Sequence, residues 1–202
     1  MKKVFILLER EIVMEKLMIE NKKLIGNKDY FGISYAFLDD DKDTEIEMYV
    51  NGSNILEFKN LGTIRTTRWN LEELAMWLRN FIDNLREDPY PVEVEGRYAA
   101  EKDDNARDFE TEDEDEMDKY YDNLQEWYFR HNWHPSSSGA ILADVYFQLV
   151  GDKVEISWDN RDVDEGVEFS YIQGGADIDK EVFVKVVNQF LNDYADHWFV
   201  EN

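Results

Sequence analysis

The sequence has no cysteine, which excludes disulfides and thiolate metal sites and fits a chain that works in a reducing cytosol. Proline and histidine occur three times each in 202 residues. Pro89 and Pro91 fall together, as do His131, His134 and Pro135, while His197 stands alone near the end of the sequence. No apolar run approaches the roughly 18 residues that a membrane-spanning helix needs. Residues 1–8 begin like a signal peptide, but the run stops at Glu9, Arg10 and Glu11 and no small-residue cleavage site follows, so we expect a cytoplasmic chain without membrane association. Cations are the scarcest group relative to their counterparts: 22 Lys and Arg against 46 Asp and Glu, for a net charge of −24. Such a field repels phosphate backbones and anionic membranes and attracts basic proteins. It argues against direct nucleic-acid binding, and leaves open a partner that itself handles nucleic acid.

What is present is enough for a core. Hydrophobic residues make up 43% and aromatics 14%, which excludes global disorder, and the length suits a single domain. Residues 1–24 read either as a strand, from Val4 to Leu8, or as a helix through Leu8, Ile12, Leu17 and Ile19; they are treated as an N-terminal extension before a domain spanning 25–202. Residues 28–68 are strand-rich: Phe31, Ile33, Tyr35 and Phe37 alternate with small residues, and Ile46, Met48 and Val50 alternate with polar ones before an Asn51-Gly52 hairpin turn. Over 70–87 a helix is predicted from Asn70 as N-cap, Glu73 as the capping-box partner, and Leu71, Leu74, Trp77, Leu78 and Phe81 at helical spacing, ended by Pro89 and Pro91. Residues 92–108 carry no regular pattern.

A second helix is predicted over about 113–130, acidic at its start and aromatic along one face through Tyr120, Leu124, Trp127 and Tyr128. Strands follow over 140–171, with a turn at Gly151-Asp152, Val154, Ile156 and Trp158 alternating with Glu155 and Ser157, and an end at Gly174-Gly175. Val182, Phe183, Val186, Val187, Phe190, Leu191 and Tyr194 form the stripe of a final helix over about 178–198. Strands in runs with helices between and after them give an α+β fold: antiparallel sheets of meander and hairpin strands, packed by amphipathic helices on one side.

Chemistry-bearing residues are few. His131 and His134 have the i, i+3 spacing of a zinc pair, with Asp144, Glu155, Asp159 or Asp162 as a third ligand. Pro135 biases His134 away from helical geometry, and the plainer reading is that both histidines cap the C-terminus of the acidic helix. Ser136, Ser137, Ser138 and Gly139 offer hydroxyls near His134, but no nucleophile-elbow pattern. The run through Asp159, Asp162 and Asp164 lacks the central glycine and terminal glutamate of a calcium loop. No cofactor motif is found. Glu112, Asp113, Glu114, Asp115 and Glu116 are the candidate contacts for a basic protein partner, with a solvated helix end as the plainer alternative.

Four segments together resemble a group of bacterial and mobile-element proteins: Trp69-Asn70-Leu71 with Leu74, Trp77 and Leu78; His131-Asn132-Trp133-His134; residues 139–147, Gly-Ala-Ile-Leu-Ala-Asp-Val-Tyr-Phe; and Val154-Glu155-Ile156-Ser157-Trp158. The likeness spans about residues 63–160. It implies a setting near mobile-element, toxin–immunity or defence genes, with some relatives fused to a peptidase-like domain. This chain carries no peptidase motif, so no such activity is transferred, and the resemblance supplies no catalytic residues.

These observations favour a non-enzymatic acidic binding protein, an immunity or inhibitor module that neutralises a basic partner such as a nuclease toxin or a defence enzyme. The alternatives are a nucleic-acid-mimicking anti-defence protein, and a metal-assisted enzyme or ligand sensor centred on His131 and His134, whose ligand would sit in a cleft by the 136–139 loop.

Overall fold

Turn chemistry decides where the alternating segments reverse. Asn51 and Gly52 take φ of 48° and 85°, the left-handed pair that a two-residue hairpin requires, so β3 (Asp43–Val50) folds onto β4 (Ser53–Asn54) with Val50 opposite Ser53. The computed structural model describes residues 22–36, 43–161, 163 and 166–199. Among them the chain runs β1 (Lys23–Gly26), β2 (Phe31–Tyr35), β3, β4, β5 (Glu57–Asn60), β6 (Thr63–Thr66), β7 (Arg68–Asn70), α1 (Leu71–Asp83), α2 (Ala99–Ala106), α3 (Glu114–His131), β8 (Val145–Val150), β9 (Lys153–Asp159), β10 (Val167–Phe169), β11 (Gln173–Asp179) and α4 (Lys180–Phe199). The fold is α+β.

Every strand pairing is antiparallel. One sheet has the order β1-β2-β3-β4 with β7 also on β3, a second β10-β5-β6, a third β11-β9-β8. α4 lies on β1, β2, β9 and β11 and against α1. The centre of the core is an aromatic cluster in which Trp69, Trp77, Trp133 and Phe147 meet at centroid distances of 4.9–6.1 Å. Each such ring removes some 150–250 Å² from water, so these side chains dominate the burial that drives the fold.

β8 and β9 present two buried faces. Val145, Phe147 and Leu149 with Val154, Ile156 and Trp158 join the main core. On the reverse face Tyr146 joins a smaller cluster with Tyr90, Ala99, Ala100, Ala106, Leu124 and Trp127. The third sheet therefore carries helices on both sides, α4 on one and α2 with α3 on the other, and not on one side as the strand pattern suggests. Glu155 and Ser157, which alternate like solvent-facing residues, are buried beneath α2. Glu155 accepts a hydrogen bond from the Ala99 N–H at 2.6 Å, and the Ser157 hydroxyl accepts one from Ala100 N–H at 3.2 Å. The N-cap residue of α2, Tyr98, supplies no side-chain cap. Two side chains from a strand more than fifty residues away do so.

Several boundaries differ from expectation, each for a local reason. Residues 1–21 of the expected extension lie outside the described residues, while Lys23 and Leu24 belong to β1, paired with Tyr35 and Ser34. The helix expected to reach 87 stops at Asp83: Asn84, at φ −107° and ψ 15°, leaves the helical range, and its side chain bonds the Asn80 carbonyl. The strand expected from 140 starts at Val145. Its first backbone groups are taken by side chains instead: the Ile141 carbonyl by Thr67, the Ala143 carbonyl by Trp133 and the Asp144 N–H by Asn160.

α2 was invisible to periodicity because its buried positions are alanines in an otherwise charged octapeptide. Gly174 and Gly175 sit inside β11 and do not break a strand. A Cβ on Gly174 would stand 2.5 Å from the Trp158 ring, and one on Gly175 2.6 Å from the Tyr98 ring, so glycine here makes room for aromatics. Asn70 does cap α1, accepting from Glu72 N–H, but Glu73 does not close a capping box: its carboxylate takes Trp69 Nε1 at 2.8 Å and Ser138 Oγ at 2.5 Å.

Candidate functional site

The acidic candidates occupy the start of α3. Asp113 is the N-cap, its Oδ1 accepting from the Asp115 and Glu116 N–H groups at 3.0 and 3.2 Å, and Glu114, Asp115 and Glu116 fill the first turn, where a helix dipole favours negative charge. All five residues from Glu112 to Glu116 are exposed. Glu116 accepts a hydrogen bond from Thr111 Oγ1. Among the described residues none of the five forms an ion pair, and Lys119 is the sole cation between Glu110 and Asp122. The helix is held from its other end: Leu124 and Trp127 are buried, and Trp127 Nε1 donates to the Asp88 carbonyl at 3.0 Å. The result is a rigid helix that presents a block of uncompensated carboxylates to solvent.

His131 and His134 diverge. His131, the last residue of α3, is buried, with its ring stacked on Trp127 at 4.3 Å. Its Nδ1 lies 2.7 Å from the Phe147 carbonyl and its Nε2 3.0 Å from Asp88 Oδ2. Both ring nitrogens are thus engaged within the fold, one at the Phe147 carbonyl and one at Asp88. The expectation that this histidine caps its own helix is corrected: the last-turn carbonyls are taken by Arg130 Nη1 at Glu126 and by Asn132 N–H at Tyr128, and His131 reaches across to β8. Asp88 also accepts from Arg130 Nε at 2.9 Å. Burial pushes its carboxyl up, but hydrogen bonds from His131 and Arg130 outweigh that and hold it below the ordinary aspartate range.

His134 opens the 3₁₀ turn His134–Ser136 and faces a different space, a cavity of about 150 Å³ that it shares with Tyr128, Asp104, Arg107, Asp144, Asp159 and Arg161. Asn132 organises this side: its Oδ1 accepts from the His134 N–H at 2.7 Å and its amide donates to Asp144. Burial pushes the Asp144 carboxyl above the usual range, and the Asn132 hydrogen bond opposes it only in part. Asp159 shows the opposite balance. Burial would raise it, yet Arg161, which grips both of its oxygens, holds it below the usual range, and Arg161 also reaches Asp104 at 2.7 Å.

The fold thus brings His134, Asp144 and Asp159 to one cleft and sets His131 apart; Glu155 is spent on α2, and Asp162 lies outside the described residues. Among the described residues no group of three or more histidines and carboxylates is placed to hold a metal ion. Of the loop serines, Ser138 turns its Oγ to Glu73. Sequence reading missed Asp88, Asp103, Asp104 and Arg107, all from stretches that lacked a periodic pattern. No family model, curated protein or solved structure matches this chain. The described residues include no helix long and apolar enough to cross a membrane.

Proposed function

We propose that this protein is a non-enzymatic acidic binding module that engages a basic protein partner through the N-terminal end of α3. The observation that carries the reading is the block from Glu112 to Glu116, exposed, preorganised on a capped helix and unpaired with any described cation. A block of this kind speeds encounter with a cationic surface by steering, and the partner's Lys and Arg side chains then supply the neutralising charge. The net charge of −24 extends the same attraction over the whole molecule. With the setting implied by the resemblance, the partner is a nuclease toxin or a defence enzyme, and binding blocks the basic surface on which it works.

The test is affinity capture of the partner from the native host, followed by calorimetry at several salt concentrations with the wild-type chain and a Glu112→Gln, Glu114→Gln, Asp115→Asn variant. The expected result is a basic partner whose affinity falls steeply with salt, and falls about tenfold or more in the variant with a shallower salt dependence. A captured partner whose affinity ignores both salt and the substitutions would overturn the reading.

A further inference from the structure

Beside α1 lies a larger cavity of about 440 Å³, which shares no lining residue with the His134 cleft. Its wall combines the C-terminal half of α1 with the last turn of α3. Trp77 and Phe81 stack at 5.4 Å and Leu85 continues the apolar surface, while Phe129 stands at the rim with 56% of its area exposed. An exposed phenylalanine at the mouth of an apolar cleft is the arrangement that covers the flat body of a small ligand.

The polar groups here have a single valence left over. Helix C-termini present carbonyls that would repel an anion, but those nearest the cleft are already bonded, Asn80 O by Asn84 and Glu126 O by Arg130. Asp88 is committed to Arg130 and His131. What remains is donors: the exposed Arg86 guanidinium and the Asn80 amide have no side-chain hydrogen bond or ion pair to any described residue. The lining thus carries the arginines Arg86 and Arg130 against Asp88 as its single carboxylate. The other described cavities are lined with carboxylates at least equal in number to their arginines and lysines. In a chain of −24 this is, among the described cavities, the one whose arginines outnumber its carboxylates, and at physiological salt the remote charges are screened over about 8 Å.

We propose that this cleft binds a small aromatic carboxylate, with the ring between Phe129 and the Trp77–Phe81 surface and the carboxylate on Arg86 and the Asn80 amide. This is an activity separate from partner binding at the start of α3.

Three probes with one ring system and three charges test it: indole-3-acetate, indole and tryptamine, titrated by calorimetry into the intact chain. Saturable binding of indole-3-acetate in the millimolar range or tighter is expected, weaker binding of indole, and none of tryptamine. Arg86→Glu should weaken indole-3-acetate about tenfold or more and Arg86→Lys much less, while Phe129→Ala should weaken indole-3-acetate and indole alike. Both substituted side chains are exposed, so an unchanged circular dichroism spectrum separates lost binding from lost folding. Absence of saturable indole-3-acetate binding, equal binding of tryptamine, or indifference to Arg86→Glu would each overturn the proposal. Because α3's acidic start is untouched by these variants, partner capture should survive them.

Discussion

His131 closes a network that joins three separate parts of the chain. Its ring nitrogens pair with the Phe147 carbonyl and with Asp88, and Asp88 in turn holds Arg130, while the Asp88 carbonyl takes Trp127 and Gln148. Replacing His131 by alanine takes the ring partner from the Phe147 carbonyl, leaves Asp88 with Arg130 alone and opens a void against Trp127. We expect a loss of about 2–4 kcal/mol in urea unfolding, and a loss below about 1 kcal/mol would mean that water replaces the ring without penalty.

Glu155 makes the opposite point at the same scale. Burial pushes its carboxyl above the ordinary value of 4.5, although Ala99 N–H and Ser157 favour the charged form. A folded-state pKa above the unfolded one contributes stability that is complete below the unfolded value and is lost as pH rises through the folded value. Glu155→Gln keeps an oxygen for Ala99 N–H and removes the buried charge. Its stability relative to wild type should therefore improve between pH 4 and pH 7, and a difference that is constant across that range would show that the carboxylate is not held at a disadvantage.

Among elements, α3 was the most legible. An acidic start and an aromatic stripe through Tyr120, Leu124, Trp127 and Tyr128 predict a helix over about 113–130, whose bounds agree with Glu114–His131 to within a residue. Asp113→Ala should cost about 0.5–2 kcal/mol by removing the cap, whereas Asp113→Asn keeps the acceptor and removes one charge. If the block acts on a partner by charge, the asparagine variant keeps wild-type helicity by circular dichroism and loses affinity; if affinity follows helicity alone, the block is only a helix end. β1, α2 and β11 were not legible, and their residues say why. β1 alternates poorly, with Ile25 as its single buried side chain. α2 packs through alanines. Gly174 and Gly175 signal a break by their own preferences and are kept in a strand by the rings of Trp158 and Tyr98.

At the scale of the molecule, the charge of −24 acts against the fold as well as for recognition, because carboxylates that attract a basic surface also repel one another. The melting temperature should rise when NaCl is raised from about 10 mM to about 150 mM, as screening relieves that repulsion, and an unchanged value in differential scanning fluorimetry would show that the charges lie too far apart to matter. Net charge, the absence of thiols, the Asn51-Gly52 turn, the cap at Asn70, the acidic start of α3, and the stripes of α1, α3 and α4 follow from the sequence by itself, since each depends on neighbours within a few residues. The partners of His131, Glu155 and Arg161, the separation of His131 from His134, and the donor-lined cleft beside Phe129 were decided only by the tertiary structure. They depend on contacts between segments tens of residues apart, such as Asp88 with His131 and Ala99 with Glu155, and local periodicity carries no information about which distant segment will lie opposite.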